Sequence, residues 1–102
     1  MKRVLVENLA NFLGQEVLVQ GWVHRIRELS KVIFLVLRDR TGLIQVVIDP
    51  QQLKGVCVST ESVIEIHGLV KEEPRSHVGY EVVAKEIRIL SLAANLPVNI
   101  KG

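Results

Sequence analysis

The sequence predicts an all-β domain, five strands curled into one small barrel, with short helical pieces only at the N-terminus and between the third and fourth strands. Three observations carry that expectation. Runs rich in Val, Ile and Leu recur from Glu16 onward, separated by Gly, Pro, Asp and Ser, which is how strands and their turns are punctuated. The first run is too long for an average strand and has Gly21 near its middle, where the missing side chain permits a sharp bend. The 102 residues, 48% hydrophobic and 24% charged, suit one domain with one modest core, and two domains would not fit.

Leu9, Phe12 and Leu13 recur at helical spacing before Gly14, so a short helix should stop where glycine can turn left-handed. The first strand runs from about Glu16 to Arg27. The second, Val32 to Arg38, passes through Asp39-Arg40-Thr41-Gly42, a polar hairpin connection, into the third, Leu43 to Asp49. Alternation puts Ile33, Leu35 and Leu37 on one face and Ile44, Val46 and Ile48 on the facing one, and these six should be core. Pro50 to Gly55 begins with proline, ends with glycine and holds good helix formers between them, which predicts a turn or two of helix. A fourth run, Ser62 to Lys71, and a fifth, Tyr80 to Leu90, flank the polar loop Glu72 to Gly79. The order β-β-β-α-β-β with a bent first strand is the plan of the OB-fold, a five-stranded Greek-key barrel that binds oligonucleotides or oligosaccharides on strands 2 and 3 and the 1–2 and 4–5 loops. Residues 1–93 are expected to form this barrel domain, and 94–102, with Asn95, Pro97 and no periodicity, a linker.

Several function classes are excluded at this level. The longest stretch without a charge, Ile89 to Ile100, has twelve residues, too few for a membrane span. Glu7 and Asn8 interrupt any apolar leader, so a cytoplasmic protein without membrane contact is expected. Cys57 stands alone and should be a small buried hydrophobe, with no disulfide. Net charge is only +2, but between Gly21 and Gly42 Arg25, Arg27, Lys31, Arg38 and Arg40 face only Glu28 and Asp39. That local excess of +3 suits a polyanion or simply a solvated face.

With the core parity assigned, Phe34, Val36 and Arg38 face outward on the second strand, and Leu43, Gln45 and Val47 on the third. Phe34 is one of four aromatic residues, and an outward aromatic on this face is what base stacking needs. Gln45 offers both a donor and an acceptor for a base edge. A covering loop over Phe34 would be the ordinary alternative, and Trp22, near the bend, reads as core filler. His24, His67 and His77 have no carboxylate or cysteine at ligand spacing, so no metal site is expected. No nucleophile elbow, phosphate loop or facing acid pair is present, so no catalytic residue is assigned.

The strings Gly21-Trp22-Val23-His24-Arg25-Ile26-Arg27 and Phe34-Leu35-Val36-Leu37-Arg38-Asp39-Arg40-Thr41-Gly42-Leu43-Ile44-Gln45-Val46-Val47 closely resemble the N-terminal anticodon-binding domain of aspartyl-tRNA synthetases. Glu61-Ser62-Val63, Gly68-Leu69-Val70, Gly79-Tyr80-Glu81 and the exit Leu96-Pro97-Val98 continue the likeness over almost the whole chain. The Arg-Asp-Arg-Thr-Gly-x-Ile-Gln string favours the aspartyl over the asparaginyl and lysyl enzymes, in an archaeal-like, compact branch. The resemblance implies tRNA as partner, with Phe34 stacking on the middle uridine of the anticodon and Gln45 and Glu81 hydrogen-bonding the bases. It further implies that Arg25, Arg27 and Lys31 touch the backbone or flanking bases. A histidine at His24 resembles enzymes that charge both aspartate and asparagine tRNAs, whereas His77 matches neither the lysine of strict members nor the proline of relaxed ones. Ser30 stands where the family usually has glycine. Catalysis, with its ATP and magnesium, belongs in this family to a downstream domain through which the parent dimerises, so no cofactor is expected in this chain. An excised recognition domain of an aspartate-tRNA ligase and a freestanding OB module binding tRNA or single strands both fit. Pure protein interaction would leave Phe34 and Gln45 without a role.

Overall fold

The alternating aliphatic runs form five strands, β1 (Glu16–Glu28), β2 (Ile33–Asp39), β3 (Gly42–Ile48), β4 (Val63–Glu72) and β5 (Tyr80–Ser91), in a computed structural model that describes residues 3–53, 58 and 60–91. Their limits fall within two residues of those read from the sequence. They close into a barrel in the order β1-β2-β3-β5-β4, the OB-fold expected. All neighbours are antiparallel except β3 and β5, which meet in parallel at Val46↔Val82 and Val47↔Val83 alone. Cys57 and the expected linker 94–102 lie outside the described residues. Among the described residues, no helix is long and apolar enough to cross a membrane.

Barrel closure depends on the long β1, whose first half pairs with β4 and whose second half pairs with β2. At Gly21 the two ladders meet so closely that a Cβ there would stand 2.3 Å from the Arg38 carbonyl oxygen. Glycine at this position is therefore a steric requirement. All six residues assigned to the core are buried, Ile33 at 6% exposure and the others at 0%. Trp22 is the correction. It lies half-buried on the outer face, opposite Arg38 in the ladder, with the Arg38 guanidinium 5.6 Å from its ring centre. Strand alternation sends it outward because Val23 takes the inward position.

The N-terminal helix is a 3₁₀ segment, Val6–Phe12. Its face therefore repeats every three residues, burying Val6 and Leu9 and packing Phe12 on the core while Leu13 is left exposed. Gly14 ends it at φ +79° as anticipated, and the second helical piece is a 3₁₀ turn, Pro50–Leu53. The segment is anchored by one buried carboxylate. Asp39 Oδ2 accepts the Val6 N–H at 2.8 Å, while Oδ1 accepts from Thr41 N–H at 2.7 Å, Thr41 Oγ1 at 2.6 Å and Gly42 N–H at 3.1 Å. Thr41 Oγ1 in turn accepts the Glu7 N–H at 3.1 Å. Neither turn residue, Arg40 nor Thr41, has positive φ, so this hairpin is not a mirror-image turn. Its geometry is held instead by the side chain of Asp39. Burial pushes the Asp39 carboxyl up, but the four donors outweigh it and hold the group below the usual carboxylate range.

On the far side of the barrel His67 of β4 bridges two carboxylates that lie far away in sequence. Its Nε2 is 2.8 Å from Glu16 of β1 and its Nδ1 3.2 Å from Glu86 of β5. Lys85 Nζ adds a contact of 3.3 Å to Glu16. The hydrogen bonds with Glu86 and then Glu16 raise the His67 pKa, and those with His67 and Lys85 lower that of Glu16.

Two outcomes follow. Asp39→Ala should lower unfolding free energy by about 3 kcal/mol, since it strands buried donors at both ends of the hairpin. Urea melts check it, and a loss under about 0.5 kcal/mol would refute the anchor. For His67, the raised value makes its contribution full below the ordinary 6.5 and lost as pH rises through the folded value. The depressed Glu16 contributes above its ordinary 4.5. The stability lost in His67→Ala should therefore be greatest between those two values and shrink in alkali. Urea midpoints at mildly acidic and alkaline pH measure it, and equal losses at both would count against the bridge.

Candidate nucleic-acid interface

A β-bulge in β1 creates the outer face on which the candidate residues meet. The β1–β2 register shifts between Val23 and Arg25, so Val23 and Ile26 both pack inward while His24 and Arg25 both face solvent. The extra residue resets alternation. From there the ladder aligns Arg27 with Phe34 and Val47, and Arg25 with Val36 and Gln45. Without the bulge, the two arginines would sit at core positions.

These rows floor and wall an open concavity of about 600 Å³. Phe34, Val36 and Val47 form an apolar floor, with Arg25 and Arg27 along one side. Phe34 is half-buried, so its ring is neither sunk in the core nor covered by a loop. At the centre Gln45 Nε2 donates to Glu81 Oε1 at 2.8 Å. Glu81 is only 8% exposed and stands opposite Lys71 in the β4–β5 ladder. Among the described residues nothing donates to its other oxygen, which is not sealed from solvent. That oxygen is the natural acceptor for a ligand N–H.

The opposite wall comes from Lys71, Glu73 and Arg75. Arg75 Nε and one terminal nitrogen reach the two Glu73 carboxylate oxygens at 2.9 and 3.2 Å, and Glu73 also accepts the Arg75 N–H at 3.0 Å. The Arg75 side chain and then its backbone N–H pull the Glu73 carboxyl down to about 2. Turn bonds from Ser76 N–H to Glu73 C=O and from Gly79 N–H to Ser76 C=O, both 3.0 Å, shape the same loop. Gly79 takes φ +87° there. The fork thus fixes an exposed guanidinium over the rim.

Of the residues singled out from the sequence, Phe34, Gln45, Glu81, Arg25 and Arg27 converge here. Lys31 does not; it lines a neighbouring cleft. His24 and His77 are exposed, the first at the bulge and the second in the Arg75 loop, and neither lines the concavity. Lys71, Glu73 and Arg75 were missed, although the 4–5 loop of an OB-fold is a known ligand loop. Ser30 has no positive φ, so serine in place of glycine is unstrained there. Among the described residues no cluster of His, Cys, Asp and Glu could hold a metal ion. The chemistry available is therefore stacking, acceptance of N–H groups and pairing of cations with an anionic backbone.

Comparison with known proteins places the chain in a family. Residues 17–90 match the family described as "OB-fold nucleic acid binding domain". An asparagine-tRNA ligase of Pelotomaculum thermopropionicum is 36% identical over 99% of this chain and 25% of its own length. An aspartate-tRNA(Asp/Asn) ligase of Sulfurisphaera tokodaii is 44% identical over 87% of the chain and 22% of its own length. The asparaginyl-tRNA synthetase structure from Pyrococcus horikoshii superposes with a TM-score of 0.82 at 26% identity, covering 96% of this chain and 25% of that one. The chain thus spans about a quarter of the length of these relatives.

Proposed function

This chain belongs to the OB-fold nucleic-acid-binding domain family, and from that premise we propose that it is the anticodon-reading module of a tRNA ligase for aspartate or asparagine. The observation that carries the reading is the convergence of Phe34, the Gln45–Glu81 pair and Arg25 and Arg27 in one concavity. Phe34 stacks a base, the middle uridine of the anticodon. Gln45 and Glu81 take hydrogen bonds along base edges, where a carboxylate accepts amino and imino protons. Arg25, Arg27, Lys71 and Arg75 balance the phosphates. Aminoacylation, with ATP and magnesium, belongs to the rest of the parent protein.

Titration with an anticodon stem-loop carrying a middle uridine tests this. Phe34→Ala should lose about 1–3 kcal/mol of binding. Equal binding by the variant would remove the stacking role, and no binding by the parent chain would remove the proposed function.

Specificity is the finer question. Aspartate and asparagine anticodons differ only at the third base, cytosine against uracil, which exchanges an amino donor for a carbonyl acceptor. His24 beside Arg25 and His77 in the Arg75 loop flank the candidate surface. A neutral imidazole donates from one nitrogen or accepts at the other, so it satisfies either base without leaving a group unpaired. Stem-loops ending in cytosine and uracil should therefore bind within about tenfold, about 1.4 kcal/mol. A hundredfold preference for cytosine at one salt concentration would mark a strict aspartate reader.

A further inference from the structure

The barrel seam between β3 and β5 opens a second cleft on the same face. Parallel pairing stops after Val47↔Val83, and beyond it the strands part around a space of about 530 Å³ lined in part by Val32, Val47 and Val83. Val47 also floors the first concavity, so the two adjoin at this residue. The end of the cleft is built by hydrogen bonds. Gln52 Nε2 donates to the Ala84 and Lys85 carbonyls at 3.0 and 3.1 Å, and Gln52 Oε1 accepts the Asp49 N–H at 2.9 Å. Asp49 Oδ1 accepts the Gln51 N–H at 2.9 Å. With Gln52 and one Asp49 oxygen so engaged, three exposed polar ends remain without a partner among the described residues, Lys31, the Gln51 amide and Asp49 Oδ2.

We infer that this cleft is an additional nucleotide subsite, taking the nucleotide next to the anticodon bases in the same RNA strand. This rests on the function proposed above. The valine floor offers an apolar surface to one base, the Gln51 amide can donate to and accept from its edge, and Lys31 pairs with its phosphate. Adjacency at Val47 suits an occupant that is a further part of a strand already on the face. A separate small molecule would have no need of that connection.

Binding of a uridine trinucleotide and a uridine hexanucleotide to the full chain separates the two claims. The longer RNA offers about four registers, a statistical gain of about fourfold. Filling the cleft should raise the gain to about thirtyfold and shift the backbone amide resonances of Gln51 and Val32, which the trinucleotide leaves unmoved. Gln51→Ala should keep trinucleotide affinity and lower the hexanucleotide gain. Lys31→Ala should flatten the salt dependence of hexanucleotide binding by about 0.7 in log–log slope. Trinucleotide binding with only the statistical gain, or with full gain and slope in the two variants, overturns the subsite and leaves the anticodon reading intact. Failure of both RNAs to bind overturns both.

Discussion

One strand must serve two ladders, and the rest of the structure depends on how β1 does so. Its 13 residues pair with β4 at one end and β2 at the other, which closes the sheet and leaves a strand strongly bent in the middle. Two local devices make that bend possible. Gly21 lets the Arg38 carbonyl approach where any Cβ would collide, and the bulge two residues later absorbs the change of direction by adding one residue. The bulge is also the origin of the candidate face. By shifting alternation once, it moves Arg25 and Arg27 to the outside, level with Gln45 and Phe34, and turns Ile26 against the core.

Asp39 fixes the other coordinate of that face. The β2–β3 register decides which residue lies beside Phe34, and a slip by one would send Phe34 into the core and Leu35 out. The hairpin lacks the positive-φ residues that usually pin such a register. A single carboxylate supplies the constraint, and because it also binds the Val6 N–H, the 3₁₀ segment is laid over that end of the barrel by the same group. Packing and site geometry are thereby coupled, since a register error would also strand the donors at Val6, Thr41 and Gly42.

What could be read from the sequence was what period-2 alternation and glycine punctuation encode. Ile33, Leu35, Leu37, Ile44, Val46 and Ile48 were assignable to the core, and the outward Phe34 and Gln45 followed from the same parity. The convergence of Glu81 on Gln45 came only from the family resemblance, because the β3–β5 neighbour relation is non-local and parallel. Nothing in the sequence marks which side of β1 faces inward at Trp22, and the strand turns it outward against the expectation of core. The His67 bridge has no local sequence signal, because its two carboxylates lie 51 and 19 residues away along the chain. Arg75 and Glu73 looked like an ordinary polar loop, and only the folded turn brings their fork over the concavity. Lys31, grouped with the other cations by proximity in sequence, is carried past the end of the β1–β2 hairpin into the adjoining cleft.

A carboxylate at the centre of a surface proposed to bind a polyanion is accommodated through the orientation of the ligand. A phosphate placed about 4 Å from Glu81 would meet a repulsion of about 4 kcal/mol at an effective dielectric near 20. A base N–H on the same oxygen gains about 1.5–3 kcal/mol as a hydrogen bond to a charged group. The difference favours a strand that turns its bases toward Glu81 and its backbone toward the arginine rims. Gln45 strengthens this preference by donating to one oxygen of Glu81, so that the other is the one presented. Under the proposed function, the ring of Phe34 receives a base whose edge is already aimed at an acceptor. On the proposed reading, Glu81 contributes less to the total affinity than to the choice of which side of the RNA faces the protein.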